Sequence, residues 1–553
     1  MAEARRRVKG EGAGFADMLP AMRRDDTAKP PRSERLRWIH AVMVAATAIV
    51  SVSPYHPDEH FQIVEYAGYK LGLVPREWLT WEYAEHMRPW LFPGAVYLVL
   101  RALRALHFGD LFTPLTVVRL LCAALGFWSL DALIRRSRDW LPAEILPAQE
   151  AALRLVGFLP WLFARPCSET VASSLFVLAL TRFVAPPAPA TGPRRRPRRA
   201  SSTLFASGLL AGAAFEVRYQ TAILAVSLVG WALAVEKRPR RELVPFVGGF
   251  VAMLAVGTLV DAWGYGGFVL APVRYFQVNL LQGAASRFST SPPWFYFVAS
   301  LANVFAPSVL LALLAMVVLA VRFPKHVLTW MLVPFFAVHS LLLAHKEDRF
   351  LWPVAIFAAA AIVPAFYPGG PQAPGAWFFD SIWAIRRTRI FRVLVAVNVA
   401  TALFVALVPV NGAEHGLLAR AVYRTVPPGA TLYVQDTDIT EYNLYRREWN
   451  VRKLQEGVCC PFEGTAPSFV LTTHTRAPLG SSSDAELLYT EWPLGSFDAL
   501  FGRLVGQLPS LRPPPLQTLY RVTPRAACDA ALPPCADGSR PPAYVTSPLR
   551  GGP

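Results

Sequence analysis

Apolar positions in this chain are gathered into long blocks separated by short polar breaks. The blocks fall at 38–52, 92–108, 114–133, 151–185, 203–217, 219–235, 245–262, 295–321, 328–344, 351–367 and 393–410. Several are shorter than the ~20 residues of a perpendicular membrane crossing, so their ends are soft. The pattern predicts an all-α polytopic membrane protein with about eleven transmembrane helices over 38–410. Residues 1–37 are polar and dense in charge and read as a disordered basic cytoplasmic tail. Beyond 410 the pattern changes to short strand-like runs at 431–434, 469–473, 487–490 and 519–522, between turns rich in Pro, Gly and Ser. A small α/β exoplasmic domain over 411–553, ending in a Pro-rich tail, is expected. No internal repeat stands out.

Composition supports this reading. Apolar residues make up 54% of the 553 residues and charged residues only 17%, against roughly 25% in soluble domains. That leaves too little charge to cover several water-facing globules, and it excludes disordered, collagen-like and disulfide-framework classes. The net charge of +17 comes without any nucleic-acid-binding motif, so no nucleic-acid partner is expected. Basic residues of a membrane protein crowd its cytoplasmic loops. Of six cysteines, Cys122 and Cys167 lie in apolar surroundings. Cys459, Cys460, Cys528 and Cys535 lie in the polar C-terminal region, where two of them could pair in an oxidising compartment.

The basic clusters test the topology. They are Arg194–Arg196 with Arg198 and Arg199, Lys237–Arg241, Arg322 with Lys325, and Arg386, Arg387, Arg389 and Arg392. With the N-terminus inside, all four fall on one side if 151–185 crosses once or contains a re-entrant piece. Arg135, Arg136 and Arg138 then fall on the other side, against the rule. The segments 55–90, 261–294 and 345–350 and the region from 411 onward share the exoplasmic face, and they carry most of the polar residues of chemical interest.

Four constellations stand out. His56-Pro57-Asp58-Glu59-His60 follows the first helix and offers a general base, a cation ligand set or simple helix-start chemistry. Two histidines four apart lack an obvious third zinc ligand. No metal or other cofactor is called for, although a divalent ion is not excluded by the residues. His345-Lys346-Glu347-Asp348-Arg349-Phe350 sits between two apolar blocks, where such charge must pair or meet a charged ligand; its cations suit a phosphate. Arg165 and Glu169 lie inside the apolar stretch 151–185, and Arg218 follows Glu216; each also reads as an internal ion pair. Asp261-Ala262-Trp263-Gly264-Tyr265, with Asn279, Gln282 and Pro292-Pro293-Trp294, suits carbohydrate or an interfacial aromatic belt. There is no Walker loop, dinucleotide fingerprint, Gly-x-Ser-x-Gly or HExxH motif.

Taken in order, His56-Pro57-Asp58-Glu59, then Thr80-Trp81-Glu82-Tyr83 with Arg88-Pro89-Trp90-Leu91-Phe92-Pro93, then His345-Lys346-Glu347-Asp348-Arg349-Phe350, resemble the GT-C membrane glycosyltransferases. More narrowly they resemble the dolichyl-phosphate-mannose-dependent α-mannosyltransferases. These include the enzymes that add the third mannose to GPI anchors and those that extend lipid-linked N-glycan precursors. The resemblance covers roughly 38–365 and implies a catalytic acid in the first exoplasmic loop, a lipid-phosphate sugar donor and inversion at the anomeric carbon. It implies Asp58 as the base, with Glu59 second, and His345, Lys346, Arg349, Arg165 and Arg218 as donor-phosphate ligands. His56, Trp81, Arg88, Asp261, Asn279 and Gln282 would contact substrate.

The expected partners are the bilayer, a polyprenyl- or dolichyl-phosphate mannose donor and a glycolipid acceptor of the GPI-anchor or lipid-linked-glycan type. The membrane would be the endoplasmic reticulum in a eukaryote and the inner membrane in a bacterium. The rival class is a polytopic lipid or solute transporter or flippase, which would place broken helices and charge near the midplane in paired repeats.

Overall fold

The computed structural model describes residues 32–52, 54, 56–108, 111–184, 197–287, 289–301, 303, 305–368, 376–407, 413–435, 449–453, 467–472, 483–490 and 518–524. The four C-terminal cysteines, the tail before residue 32 and the Pro-rich end lie outside these residues.

The chain begins with α1 (Arg32–Val50), whose exit leads to a π-helical turn (Glu59–Val64), α2 (Glu65–Lys70), α3 (Trp81–Ala84) and α4 (Leu91–Ala105). Then follow α5 (Phe112–Ser137), α6 (Leu146–Leu155), α7 (Phe158–Phe163), α8 (Ser168–Phe183), α9 (Pro197–Val217), α10 (Ala222–Ala234) and α11 (Arg240–Tyr265). The loop after α11 carries α12 (Ala271–Phe276) and α13 (Phe295–Leu301). The bundle closes with α14 (Ala306–Arg322), α15 (Val327–Ala337), α16 (Ala355–Phe366), α17 (Ala376–Ile385) and α18 (Arg389–Leu407).

Side-chain contacts show which helix ends lie together. Arg119, near the start of α5, donates to the Ala48 carbonyl near the end of α1 (2.9 Å), while Arg37 at the start of α1 reaches Asp131 late in α5 (2.8 Å). The two helices are therefore antiparallel, and α5 starts at the end of the bundle where α1 finishes. The block 92–108, expected to cross, does not: α4 leaves and rejoins the same end, and its exposed Leu98, Leu106 and Phe108 line its outer surface. The block 151–185 instead crosses twice. It breaks at Gly157 and turns at 164–167, giving α6 with α7 in one direction and α8 in the other.

These two departures cancel. The passes are α1, α5, α6 with α7, α8, α9, α10, α11, α14, α15 with its π-helical extension (Val338–Leu342), the run 348–366, and α18, which is eleven among the described residues. Only four of them are long and apolar enough to cross unaided, or up to five when the bent pair Ala306–Arg322 and Val327–Leu342 counts as one. The placement of Arg135, Arg136 and Arg138 is also corrected. Arg136 donates to the Thr181 carbonyl at the end of α8, and Arg238, of the Lys237–Arg241 cluster, donates to Phe183 beside it. The basic residues thus share one end, as the charge rule requires.

Helices α9 and α11 run parallel and approach closely because small residues face each other. A methyl added at Gly208 would come within 2.0 Å of the Phe246 carbonyl oxygen, and one at Gly249 within 2.2 Å of that of Phe205. Inside a bilayer such small-residue seams replace the hydrophobic effect as the force between helices. The seam fixes the upper ends of α9 and α11, from which Arg218 and the loop toward α12 emerge.

After α18, α19 (Ala413–Thr425) precedes a five-stranded sheet of order β2-β1-β3-β5-β4. Its strands are β1 (Thr431–Gln435), β2 (Asn450–Lys453), β3 (Ser468–Thr472), β4 (Ser483–Thr490) and β5 (Thr518–Pro524). β2, β1 and β3 are parallel, and β5 and β4 are antiparallel additions. Leu418, Val422 and Val426, at helical spacing, bury against Leu432, Phe469 and Leu519. On another face of α19, Tyr423 meets Phe112 at the start of α5 (ring centroids 5.7 Å). The sheet is thereby attached to the end of the bundle opposite the basic one.

Gly208→Ala is expected to destabilise the protein by about 1–3 kcal/mol through overpacking, seen as a lower melting temperature in detergent. Gly248→Ala, where nothing lies within 4 Å of the added methyl, should leave melting unchanged or raise it, since Ala favours helix over Gly by about 1 kcal/mol.

Candidate active site

The first loop presents Asp58 through simple local chemistry. Pro57 opens a helical turn, Asp58 stands at the N-cap of the π-helical segment, and its backbone N–H donates to His56 Nδ1 (3.2 Å). The second contributor, residues 345–350, is held by the opposite loop. Ser291 N–H donates to the Ala344 carbonyl (2.9 Å), and Ser289 Oγ lies 2.8 Å from His345 Nδ1. A 3-10 turn (Asp348–Val354) then starts at Asp348 and aims Arg349 inward.

Arg349 joins the two. Its Nη2 donates to Asp58 Oδ2 at 2.6 Å across 291 residues of sequence, its Nε pairs with Glu347 Oε2, and its Nη1 lies 3.7 Å from Glu169 Oε1. The same Glu169 oxygen takes Arg218 Nη2 at 2.9 Å. His56 and His345 approach Glu347 from either side, at 3.2 and 2.8 Å. A chain of alternating charge therefore runs Arg218–Glu169–Arg349–Asp58, with Glu347 and the two histidines alongside. Arg349, Arg218 and Glu169 are buried, whereas Asp58 keeps 23% of its side chain exposed.

Burial alone would raise the Asp58 carboxyl, but the charges of Arg349, Arg88 and His56 outweigh it and hold the group below its ordinary 3.8. Glu347 is likewise held well below its ordinary 4.5: burial pushes up, while hydrogen bonds from His56, Arg349 and His345 and the Arg349 charge pull down more strongly. Both carboxylates are therefore ionised at neutral pH.

Of the residues singled out in the sequence, Asp58, His56, His345, Arg349 and Arg218 are brought together here. Arg88 lies close by, with Nη2 on Glu82 Oε1 (3.1 Å), an oxygen shared with Gln62 Nε2 (3.1 Å). Others are placed differently. Lys346 Nζ is tied to the carbonyls of Ser291 and Leu343 (both 2.7 Å), which makes it a staple between loops. Glu59 points into the core, within electrostatic reach of Cys122 and Cys167. Arg165 is buried with its guanidinium over the Trp161 ring at 4.8 Å. Asp261 is fully buried and accepts from the Trp90 N–H (2.7 Å), bracing the first loop against α11. Trp81 and Gln282 lie at the surface, and Asn279 Nδ2 contacts Met87 Sδ (3.8 Å).

Sequence reasoning did not assign Glu169 or Glu347 to the site, although each stands inside a motif already noted. Their roles depend on which cation arrives from a distant helix. Among the described residues, no group of three or more His, Cys, Asp or Glu side chains is arranged to hold a metal ion.

Two hollows lie near the charge chain. A small one of about 20 Å³, room for about one water molecule, is lined by Gln62, Arg88, Ser168, Arg218, Tyr219, Gln220 and Tyr275, among others. An apolar one of about 100 Å³ runs between α7, α13, α14 and α16 and includes Asp348, Tyr296 and Trp352.

The sequence signature of the Alg9-like mannosyltransferase family spans residues 37–424. The chain belongs to that family. It is 23% identical over 325 residues to GPI alpha-1,2-mannosyltransferase 3 of Danio rerio, covering 58% of this chain and 56% of that protein. The chain thus spans little more than half the length of that relative. It is 31% identical over 160 residues to a probable Dol-P-Man:Man(7)GlcNAc(2)-PP-Dol alpha-1,6-mannosyltransferase of Schizosaccharomyces pombe, covering 28% of this chain and 29% of that one. In three dimensions it resembles the crystal structure of ArnT from Cupriavidus metallidurans bound to undecaprenyl phosphate. The TM-score is 0.52 at 12% identity, over 88% of this chain and 97% of that one. The fold is accordingly of the GT-C type, and the protein is a multi-pass membrane protein.

The lowered carboxyls give a signed prediction. Each contributes stability that is full above its unfolded value, 3.8 for Asp58 and 4.5 for Glu347, and that is lost as pH falls through the lower folded value. Melting temperature in detergent should therefore drop from about pH 5 to about pH 3, and Asp58→Asn combined with Glu347→Gln should flatten that drop.

Proposed function

We propose that this protein is an inverting glycosyltransferase that moves mannose from a polyprenyl- or dolichyl-phosphate carrier to a glycolipid acceptor on the exoplasmic side. Membership of the Alg9-like family and the activities for which its relatives are named support the sugar and the lipid carrier. The observation that carries the mechanism is the Asp58–Arg349 pair at 2.6 Å, beside which Asp348, the neighbour of Arg349, lines an apolar hollow.

The chemistry divides between these partners. A lipid phosphate is a good leaving group, so the demanding tasks are taking the acceptor proton and stabilising the departing dianion. At rest Arg349 holds Asp58 ionised. When the donor enters, its isoprenoid chain lies in the apolar hollow and its phosphate takes the guanidinium of Arg349, with Arg218 and His345 at hand. Asp58 is then released toward the acceptor. Its carboxylate accepts the hydroxyl proton as the acceptor oxygen bonds to the anomeric carbon. The bond from that carbon to the phosphate oxygen breaks, and its electron pair leaves with the lipid phosphate. His56, hydrogen-bonded to the Asp58 amide and paired with Glu347, keeps the first loop in register.

The shared basic end faces the cytoplasm by the positive-inside rule, which puts Asp58 on the lumenal or periplasmic side. The membrane is that of the endoplasmic reticulum in a eukaryote and the inner membrane in a bacterium. The transporter reading gains nothing: the linked charges of the site stand at helix ends on one face, and the sequence shows no paired repeat.

Asp58→Asn should insert and fold, melting lower than the wild type because it gives up the charge pair with Arg349, and at a temperature where it is folded should lose about 10²–10⁴-fold in turnover, the usual weight of a general base. The assay offers purified protein lipid-phosphate mannose or GDP-mannose with a glycolipid extract. Transfer from the lipid donor only, lost in the variant, is the expected result. Wild-type-like turnover by Asp58→Asn removes Asp58 from the mechanism.

A further inference from the structure

Two stretches of the connection between α11 and α14 turn apolar side chains outward where a water-facing loop would show polar ones. From Phe268 to Leu281 the exposed residues are Phe268, Leu270, Val273, Phe276, Leu280 and Leu281, and every one is apolar. Val273, Phe276 and Leu280 recur at helical spacing along α12 and the π-helical turn that continues it (Gln277–Leu281). The polar residues face the other way. Arg274 gives its guanidinium to Glu85, at 2.9 Å from the carboxylate and 3.2 Å from the carbonyl oxygen, and Asn279 contacts Met87. Tyr275 and Val278 pack with the same Met87. The second stretch repeats the arrangement. Trp294, just before α13, and Phe297, Val298 and Leu301 within it follow an i, i+3, i+4, i+7 pattern and are 39–66% exposed. Tyr296 and Ser300, on the opposite face, are buried and line the apolar hollow.

Continuity identifies what covers these faces. Upstream the patch follows the exposed Leu259 and Trp263 of α11, and downstream it leads to the exposed Leu311, Leu314 and Val317 of α14. Trp263 and Trp294 stand at its two ends, where tryptophans gather at the edge of the hydrocarbon layer. A docked second chain would call for a polar rim around an apolar centre, whereas this patch grades into membrane-spanning helices. We propose that residues 268–281 and 294–301 lie in the plane of the leaflet at the site end of the bundle, with their apolar faces among the lipid acyl chains. The connection is then a membrane-seated platform. Through Arg274 and Val278 it holds the first loop at Glu85 and Met87, next to Arg88, and through α13 it separates the apolar hollow from lipid by the width of one helix. This placement does not depend on which reaction the site performs.

Photocrosslinking tests it. The full chain, carrying p-benzoylphenylalanine in place of Phe276 or of Phe297, is reconstituted in vesicles of phosphatidylcholine and phosphatidylethanolamine and irradiated. The same residue at Leu314 of α14 gives the lipid-facing reference, and at Arg287, exposed between the two stretches, the water-facing one. Mass spectrometry should find phospholipid adducts at Phe276 and Phe297 in yields comparable with Leu314, and only background at Arg287. Adducts at Leu314 alone overturn the proposal. So do covalent chain-to-chain dimers in place of lipid adducts, which would assign the patch to a second copy. Phe276→Glu combined with Leu281→Glu gives a second readout. On a water-facing loop the pair leaves the melting temperature in these vesicles unchanged, and that result overturns the seating; on the platform the melting temperature falls, while Arg287→Glu leaves it as in the wild type.

Discussion

The structure turns on one guanidinium. Arg349 is buried where the bundle meets the first loop, and a charge there is tolerated only if it is paired and hydrogen-bonded. Its partners come from three places: Asp58 from the loop after α1, Glu347 from its own turn, and Glu169 from the first turn of α8. None of these segments could settle elsewhere without leaving a buried charge unpaired, at about 3–5 kcal/mol. The ion cluster therefore assembles the site, and the helices supply the frame in which it can close.

That frame is held differently at its two ends. Toward the basic end, Arg37 and Arg154 share Asp131, and Arg154 also takes Glu150, so α1, α5 and α6 are locked by charge. At the site end the fastening is mostly aromatic. Tyr66, Tyr83 and Trp90 pack as one buried group, and Lys70 lies over the rings of Tyr69, Trp90 and Trp263 while donating to the Trp263 carbonyl. Gly264 lets Trp90 sit flush on α11, since a methyl there would fall 2.2 Å from the indole. This platform carries Arg88 and Glu82 and so fixes the loop between α1 and α4 against α11.

What the sequence disclosed follows from which physics is local. Apolar blocks, basic clusters and the two charged motifs at 56–60 and 345–350 are properties of neighbouring residues, so the GT-C architecture, the strand runs and the residues on either side of the site were legible. Pairings were not. Nothing near Arg165 and Glu169 says that Glu169 turns to Arg218 and Arg349 while Arg165 rests on Trp161. Lys346 looks like a phosphate ligand until the carbonyls of Ser291 and Leu343 appear around it. The block 92–108 is apolar enough to cross, and only the Arg119–Ala48 contact shows that it returns to the end it left. Strand β2 was missed because Asn450–Lys453, with two basic residues, has no alternating apolar face. It is an edge strand recruited by β1.

The resting pair also bears on why such a site can work at a membrane surface without a nucleotide-binding domain. Bringing a phosphate into a poorly hydrated site is costly because both the anion and its cation must shed water. Here Arg349 is already buried against carboxylates, so in the mechanism proposed above a donor phosphate would replace one anion by another at a desolvated guanidinium. The displaced carboxylate, Asp58, would then take the proton of the acceptor hydroxyl, and donor binding and base activation would be one exchange of partners. That coupling would be lost if Arg349 were replaced by Lys, which keeps the charge but cannot hold two or three carboxylate oxygens in a planar fork.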